Sequence, residues 1–439
     1  MERYPVRMIE SGPAAGTLMA AAYGELTGHR DLIAFDMGGT TAKLALVDGG
    51  TPLIASTFEL HRVGLAAGSG IPMNIQAIDL VEIGAGGGSI AGARLGVIAV
   101  GPESASSTPG PACYARGGVL PTVTDANLVL GYLNPHEFAG GAITLDAGAA
   151  ERAIEAHVAA PLGLPLSDAA WGIHLVVNSN MELATRVVSI ERGRDPRDLT
   201  LVAFGGAGPV HGCRLAQALR IPRVILPAAA GVTAALGLLS AEVRFDLART
   251  YVRKMDGVDL AYLNGIYWEM EAQAAQVIRE SAVTRSVALV RTADLRHVGQ
   301  GYELNVGLGA GTLDAADLER LRAAFDEAYA ARYGYSSPQE PVEVVNWKLA
   351  AIGAGPRLEL PRFPQRGALE TALKGRRPAY FPEKGGYVET PVYDRYRLSP
   401  GVLLSGPAVV EERESTTVLP PGCGARVDDY GSLMVDVSV

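Results

Sequence analysis

At 439 residues the chain is longer than one hydrophobic core usually supports, which predicts two or more domains. A net charge of -9, with no basic run richer than Lys374-Gly375-Arg376-Arg377, excludes general nucleic-acid binding, since phosphate contacts need clustered cations. No unbroken apolar run is long enough to span a bilayer and no secretory segment opens the chain, so the expectation is a cytoplasmic protein without membrane contact. Aromatic residues make up only 6%, so the core must be built mainly from Ala, Val, Leu and Ile. Cys113, Cys213 and Cys423 lie too far apart for a metal-binding spacing, and their odd number argues against a disulfide framework.

In chain order, Leu18–Leu26 reads as a helix and Leu32–Val47 as a hairpin of two apolar strands. Asp79–Ile83 and Leu95–Val100 read as strands bracketing the glycine run Gly84-Ala85-Gly86-Gly87-Gly88. Helices follow over Ala147–Val158 and Ser167–Ile190; in the second, Ile173, Val177, Met181 and Ala184 recur at helical spacing and define one buried face. Strand Leu201–Phe204, helix Pro209–Leu219 and strand Val224–Leu226 complete a strand-helix-strand unit, which marks α/β organisation. Beyond residue 242 the pattern changes: a helix over Tyr262–Ser281, strands over Ser286–Arg296 and Tyr302–Val306, then a helix from Asp314, its expected N-cap, to Arg332. Strand-like runs Val342–Ala351, Ala408–Glu411 and Ser432–Val437 finish the chain. The predicted division is an α/β domain over 1–241 and a mixed α+β domain over 242–439.

Two turns carry the chemistry. Phe35-Asp36-Met37-Gly38-Gly39-Thr40-Thr41 and Phe204-Gly205-Gly206-Ala207-Gly208-Pro209 each follow an apolar strand, and glycine lets backbone N–H groups approach an anion with no Cβ in the way. A phosphate-bearing nucleotide is therefore the first hypothesis. Asp36 is placed to hold a cation, with Thr40 and Thr41 placed to bond phosphate oxygens; the alternative is that Asp36 only caps its turn. Gly205, Gly206 and Gly208 precede a helix N-terminus, so they read either as a ligand loop or as a plain strand-to-helix turn. Asp125 stands in Pro121-Thr122-Val123-Thr124-Asp125-Ala126-Asn127, where a cleft role and an Asx-type turn are both open. His211 reads as a site contact or as packing, and His174 as an interior or interface residue. No histidine lies near Cys113 in sequence, which weakens a nucleophile reading.

Several stretches together resemble the hydantoinase A and 5-oxoprolinase family, whose relatives include ketone carboxylase subunits. They are Ser11-Gly12-Pro13-Ala14, Asp36-Met37-Gly38-Gly39-Thr40, Glu82-Ile83-Gly84-Ala85-Gly86-Gly87-Gly88-Ser89, Gly101-Pro102-Glu103-Ser104-Ala105, Pro109-Gly110-Pro111-Ala112-Cys113-Tyr114, the segment around Asp125, and Phe204 to His211. In the tail, Gly406-Pro407-Ala408-Val409-Val410-Glu411 and Ser415-Thr416-Thr417 fit the same style. The resemblance implies the second half of an actin-like, ribonuclease-H-like ATPase fold. It also implies ATP with Mg²⁺ as cofactors, Asp36 acting through the hydrated metal, and Gly38, Gly39, Thr40 and Thr41 cradling phosphates. Gly205, Gly206 and Gly208 would then lie on the adenosine side. Lys43 is a candidate for neutralising a travelling phosphoryl group, unless strand alternation turns it away, and Asp125 is the remaining catalytic candidate. The implied activity is ATP-dependent hydrolysis of a cyclic amide (hydantoin, 5-oxoproline or lactam), with ATP-dependent ketone carboxylation or a non-catalytic assembly role as alternatives. The implied setting is a hetero-oligomer with a hydantoinase-B-like subunit. Family members also carry an N-terminal hydantoinase A region with another glycine-rich hairpin; the sequence here starts just before Ser11, so a separate polypeptide, a fragment and a misassigned start are all open.

Overall fold

The computed structural model describes residues 11–55, 58–60, 69–73, 77–240, 243–280, 287–353 and 359–437; the predicted element bounds at Ser281 and Ser286 fall outside them. The chain divides into two compact units, one of residues 1–239 with 359–439 and one of residues 240–358.

The first unit is built on a nine-stranded sheet. Its centre is formed by β1 (Leu32–Met37), β2 (Ala42–Asp48), β3 (Leu80–Ile83), β4 (Thr200–Phe204) and β5 (Arg223–Leu226), in the order β3-β2-β1-β4-β5. β4 runs parallel to both β1 and β5, whereas β2 is antiparallel to β1 and to β3. This is the ribonuclease-H-like half that the resemblance implies. β1 is covered on both faces, which explains its unbroken apolar run. Leu32 and Ala34 face helix α1 (Ser11–Thr27) with Ala20 and Ala21, while Ile33, Phe35 and Met37 join the larger core with Ile173, Val177 and Val210. The larger core is supplied by α2 (Val123–Val129), α3 (Leu166–Ile190) and α4 (Gly208–Leu219). Small residues are needed where layers approach closely: a Cβ on Gly16 would come within 2.6 Å of the Phe204 ring.

The tail departs from the predicted division. The strand Leu433–Val437 pairs antiparallel with β5, Cys423–Val427 pairs with it in turn, and Leu403–Ser405 closes that edge. A second sheet, Leu373–Phe381, Gly386–Asp394, Ala408–Glu411 and Thr416–Leu419, belongs to the same unit. The expected single region 242–439 is thus split, because the last strands bury Leu433 and Val435 by extending the first unit's sheet.

The second unit is mixed α+β. Its antiparallel sheet runs Val243–Lys254, Val342–Gly353, Val287–His297, Leu304–Leu308, with helices Leu260–Glu280 and Ala315–Tyr333. Asp314 caps the latter helix as expected, its carboxylate accepting from Asp317 N–H while Asp317 accepts from Asp314 N–H, and the chain leaves the helix through Gly334 at φ 79°. Leu321, Phe325 and Tyr329 bury the face of that helix. No helix among the described residues is long and apolar enough to cross a membrane.

Candidate functional site

The two glycine turns meet at one end of the central sheet. β1 ends at Asp36-Met37, and a tight turn closed by Gly38 N–H donating to Thr41 O (3.1 Å) returns the chain into β2. Cβ atoms on Gly38 or Gly39 would meet nothing within 4 Å, and Gly39 and Thr40 are exposed. Beside this tip lies the second turn. Ala207 N–H donates to Met37 O (2.9 Å) and Gly205 N–H to Ala230 O (2.9 Å). Gly205 has φ +86°, and a Cβ there would lie 2.4 Å from both Asp36 Oδ1 and Met37 O, so only glycine fits against the carboxylate. Gly208 opens α4 with Pro209 in its first turn and no side-chain cap, which leaves helix-end N–H groups without a side-chain acceptor. Gly206 is exposed, with Glu414 O 3.8 Å from its would-be Cβ.

Asp36, Lys43 and Glu82 form a row across β1, β2 and β3. Lys43 is the register partner of both carboxylates, and residues directly opposite share one face of a sheet, so strand alternation does not turn Lys43 away from Asp36. Its ammonium sits 3.2 Å from Glu82 Oε1. Burial raises the Asp36 carboxyl above its ordinary value, and the charge of Lys43 opposes that rise.

Asp125 has a different task. It is fully buried and accepts from Cys113 N–H (2.7 Å), Ala112 N–H (3.2 Å), Thr122 N–H (2.8 Å) and the Thr122 hydroxyl (2.8 Å). Four donors, three of them on Oδ2, hold the carboxylate and complete a capping box at the start of α2, which is the turn role among the two readings open for it. Burial, with Asp125 beside it, pushes the Cys113 thiol far above its ordinary range, which makes it inert as a nucleophile.

The glycine run of residues 84–88 is a brace that the sequence left without a role. Gly87 N–H donates to Gly38 O (3.0 Å) and Gly88 N–H to Gly39 O (2.6 Å), while a Cβ on Gly86 would lie 2.5 Å from the Thr40 carbonyl carbon. Thr124, at the start of α2, secures Gly87 O through its N–H (2.7 Å) and hydroxyl (2.8 Å). On the other side, Glu412 accepts from Ala229 N–H (3.0 Å) and Ala230 N–H (3.1 Å), and a Cβ on Gly231 would lie 2.5 Å from Glu414 Cβ. The tail thereby walls the second turn, a contact with no local signal in the sequence. Among the described residues no cluster of His, Cys, Asp and Glu could hold a metal by itself. Among the described residues, solvent-facing concavities lie elsewhere, among them one of about 430 Å³ near His29 and Arg223 and one of about 620 Å³ near Arg194 and Arg220.

The model of the hydantoinase/oxoprolinase family matches residues 1–247, and that of its C-terminal domain matches residues 255–435. The chain belongs to the hydantoinase/oxoprolinase family. It is 37% identical to caprolactamase subunit alpha of Pseudomonas jessenii over 98% of its own length and 61% of that protein's. It is 31% identical to the acetophenone carboxylase gamma subunit of Aromatoleum aromaticum over 98% of its length and 59% of that protein's. A solved nucleotide-free acetone carboxylase superposes with a TM-score of 0.83 at 27% identity, covering 97% of this chain and 61% of the other. This hydantoinase/oxoprolinase chain thus spans about three fifths of the length of the relatives it matches.

Proposed function

We propose that this chain is the nucleotide-handling part of a hetero-oligomeric enzyme that binds Mg-ATP against the Asp36 hairpin and the Gly205 turn and phosphorylates the carbonyl oxygen of a small substrate. The observation that carries the reading is the junction itself: two glycine turns with open backbone, and one carboxylate set under a glycine whose Cβ would lie 2.4 Å from it. The donor set suits the ligand. Asp36 supplies a hard oxygen for a cation that keeps its waters, Thr40 and Thr41 supply hydroxyls, and the exposed Gly39, Thr40 and Gly206 present open backbone. A bound cation would favour the ionised form of Asp36 that burial disfavours. Lys43, held by Glu82 on the same face, keeps positive charge beside Asp36 without blocking the turn. Mg-ATP, when bound, would supply the phosphoryl group; the residues named here bind and orient it.

Phosphorylating a carbonyl oxygen serves two substrates. A ketone can be trapped as its enol phosphate before carboxylation by bicarbonate, and a cyclic amide gains a good leaving group for ring opening. Ketone carboxylation takes first place, supported by the 0.83 TM-score with acetone carboxylase and by the acetophenone carboxylase subunit among the relatives. Ring opening is the second reading, supported by 37% identity to a caprolactamase subunit. These relatives are named as subunits, and the family resemblance makes the partner in this reading a hydantoinase-B-like subunit.

The test is calorimetric titration of Mg-ATP into the chain co-expressed with that partner, followed by ATP-consumption assays on ketones with bicarbonate and on lactams. Mg-ATP binding weakened about a hundredfold by Asp36→Ala is expected, and bicarbonate-dependent ATP consumption would select the carboxylase reading. ATP binding indifferent to Asp36→Ala would reject the site, and a failure to bind Mg-ATP would leave the assembly role.

A further inference from the structure

Beneath the two turns, three buried polar side chains form a bridge from α2 to α4. Asn127 on α2 places its amide nitrogen 3.1 Å from His211 Nε2 and its amide oxygen 2.9 Å from His174 Nδ1 of α3. The imidazole rings stack at 4.6 Å and 19°. Asn127 is 3% exposed and both histidines 0%. His174 Nε2 and His211 Nδ1 are buried with no partner.

The bridge closes a ring of contacts around the base of the Asp36 hairpin. Gly38 O accepts from Gly87 N–H; Gly87 O accepts from Thr124 at the start of α2; Asn127, three residues on, holds His211 in the first turn of α4. Just before α4, Ala207 N–H donates to Met37 O, the residue adjoining Gly38. One side chain therefore joins the brace of the first turn to the helix that follows the second.

We infer that Asn127 is a positioning residue: it fixes the spacing of the two turns by locking His211 and His174 in matched, uncharged tautomers. A primary amide turns an acceptor oxygen to one neighbour and a donor nitrogen to the other. With its oxygen toward His174, that ring must carry Nδ1–H and His211 must accept at Nε2, so both rings are Nδ1–H tautomers. With the amide turned over, His211 donates from Nε2, His174 accepts at Nδ1, and both are Nε2–H tautomers. In neither orientation do the rings differ, and in neither can both become cations, because the amide has a single acceptor oxygen. Either way one ring N–H and one bare ring nitrogen are left over, which matches the two unpartnered atoms.

Around the bridge the charged groups are engaged elsewhere, and one buried acceptor, Asn178 Oδ1, has no partner. Arg214 of α4 lies over the Trp171 ring at 5.1 Å and pairs with Glu383, and Tyr132, edge-on to His174 at 5.4 Å, donates its hydroxyl to Tyr380 O. Asp168 is engaged by the Tyr380 hydroxyl, Asn178 donates to His174 O, Asp125 accepts from its four donors, and the Cys213 thiol is pushed up by the neighbouring Cys423 and by burial.

The inference draws its purpose from the nucleotide reading, but its test needs no nucleotide. In the full chain labelled with ¹⁵N-histidine, the rings of His174 and His211, assigned through His174→Gln and His211→Gln, should report the same tautomer. In Asn127→Asp, whose carboxylate accepts from both rings, they should become opposite, His211 carrying Nε2–H and His174 Nδ1–H. Amide hydrogen exchange gives the positioning readout. In Asn127→Leu, protection at Gly87 and Ala207 should fall together by about tenfold while Ala34 and Val202 in the sheet stay protected, and Asn127→Asp should restore it. Opposite tautomers in the unsubstituted chain, a titration of either ring between about pH 5 and 8, or unchanged protection at Gly87 and Ala207 in Asn127→Leu would each overturn the inference. The tautomer measurement stands on the unsubstituted chain, so an Asn127 variant that fails to fold does not remove the test.

Discussion

Asp36 and Asp125 each stand in a glycine- or proline-rich turn beside the same sheet, yet the fold uses them in opposite ways. Asp125 receives four hydrogen bonds from Ala112, Cys113 and Thr122 and is sealed from solvent. Asp36 is half-buried under Gly205, its charge balanced across the strands by a lysine that is itself shared with Glu82. A carboxylate bound by three backbone N–H groups and a hydroxyl organises the chain; one enclosed by open glycine turns is, in the proposed reading, left for a cation. What separates the two is the count of fixed donors, which depends on segments distant in sequence.

The sharpest way to break this contrast is to remove each acid. Asp125→Ala strands three buried backbone N–H groups, each worth on the order of 1–3 kcal/mol when unsatisfied, so a loss of about 3–5 kcal/mol in denaturant unfolding is expected. Asp36→Ala removes a carboxylate that burial already disfavours, so its stability should stay within about 1 kcal/mol of the parent while Mg-ATP binding is lost. Equal losses of stability would erase the distinction.

The next effect sharpens the same comparison through pH. Burial lowers His211 from 6.5 to about 3 and lowers His174 as well. A histidine whose pKa is depressed by folding leaves the unfolded chain binding more protons between the two values, so its contribution to stability is complete above about pH 6.5 and is lost as pH falls toward 3. From His211 alone the loss between pH 7 and pH 4 is on the order of 3 kcal/mol. Thermal unfolding across that range should show a steep acid limb, and it should flatten in a His211→Gln variant. An acid limb of the same steepness in that variant would place the proton uptake elsewhere.

Much of the sheet was legible because local signals agreed with the global fold. Leu32–Phe35, Leu201–Phe204 and Val224–Leu226 are short apolar runs bounded by turns, as buried central strands require, and the α3 stripe at Ile173, Val177, Met181 and Ala184 is buried as its spacing predicts. The glycine turns were legible too, since Gly205 is demanded by a positive φ and a close carboxylate. The tail's membership in the first unit was not. Nothing local in Leu433–Val437 tells which exposed edge it will pair with, and β5 supplies that edge only once β4 and β5 are assembled. The same limit hid the role of Glu412, whose partners Ala229 and Ala230 are contributed by a different part of the chain. For Asp125 the motif left two readings open, and the bonds that hold it in its turn are complete only once the 111–114 segment approaches.

Gly205→Ala tests whether the second turn is held by its close contact with Asp36. The added Cβ meets Asp36 Oδ1 and Met37 O at 2.4 Å, and φ +86° is strained for alanine, so a loss of about 2 kcal/mol is expected together with displacement of the carboxylate. Recovery of stability in Gly205→Ala combined with Asp36→Ala, read as a double-mutant cycle, would show that the clash with the acid accounts for part of the cost; strict additivity would assign it all to the backbone.

The smallest structural effect belongs to Gly39→Ala. A Cβ there meets nothing within 4 Å, and Gly39 is not among the residues with positive φ, so unfolding should change by less than about 0.5 kcal/mol. The same methyl would nevertheless stand on exposed backbone at the tip of the hairpin, where the nucleotide reading brings phosphate oxygens against N–H groups, and Mg-ATP affinity should fall by about tenfold. Gly38, whose N–H closes the turn on Thr41 and whose O accepts from Gly87, offers a control on the same tip. If Gly39→Ala left both stability and Mg-ATP affinity unchanged in the co-expressed assembly, the hairpin tip would be a fold element only, and the contrast between an acid that organises the chain and an acid that serves a ligand would lose its functional half.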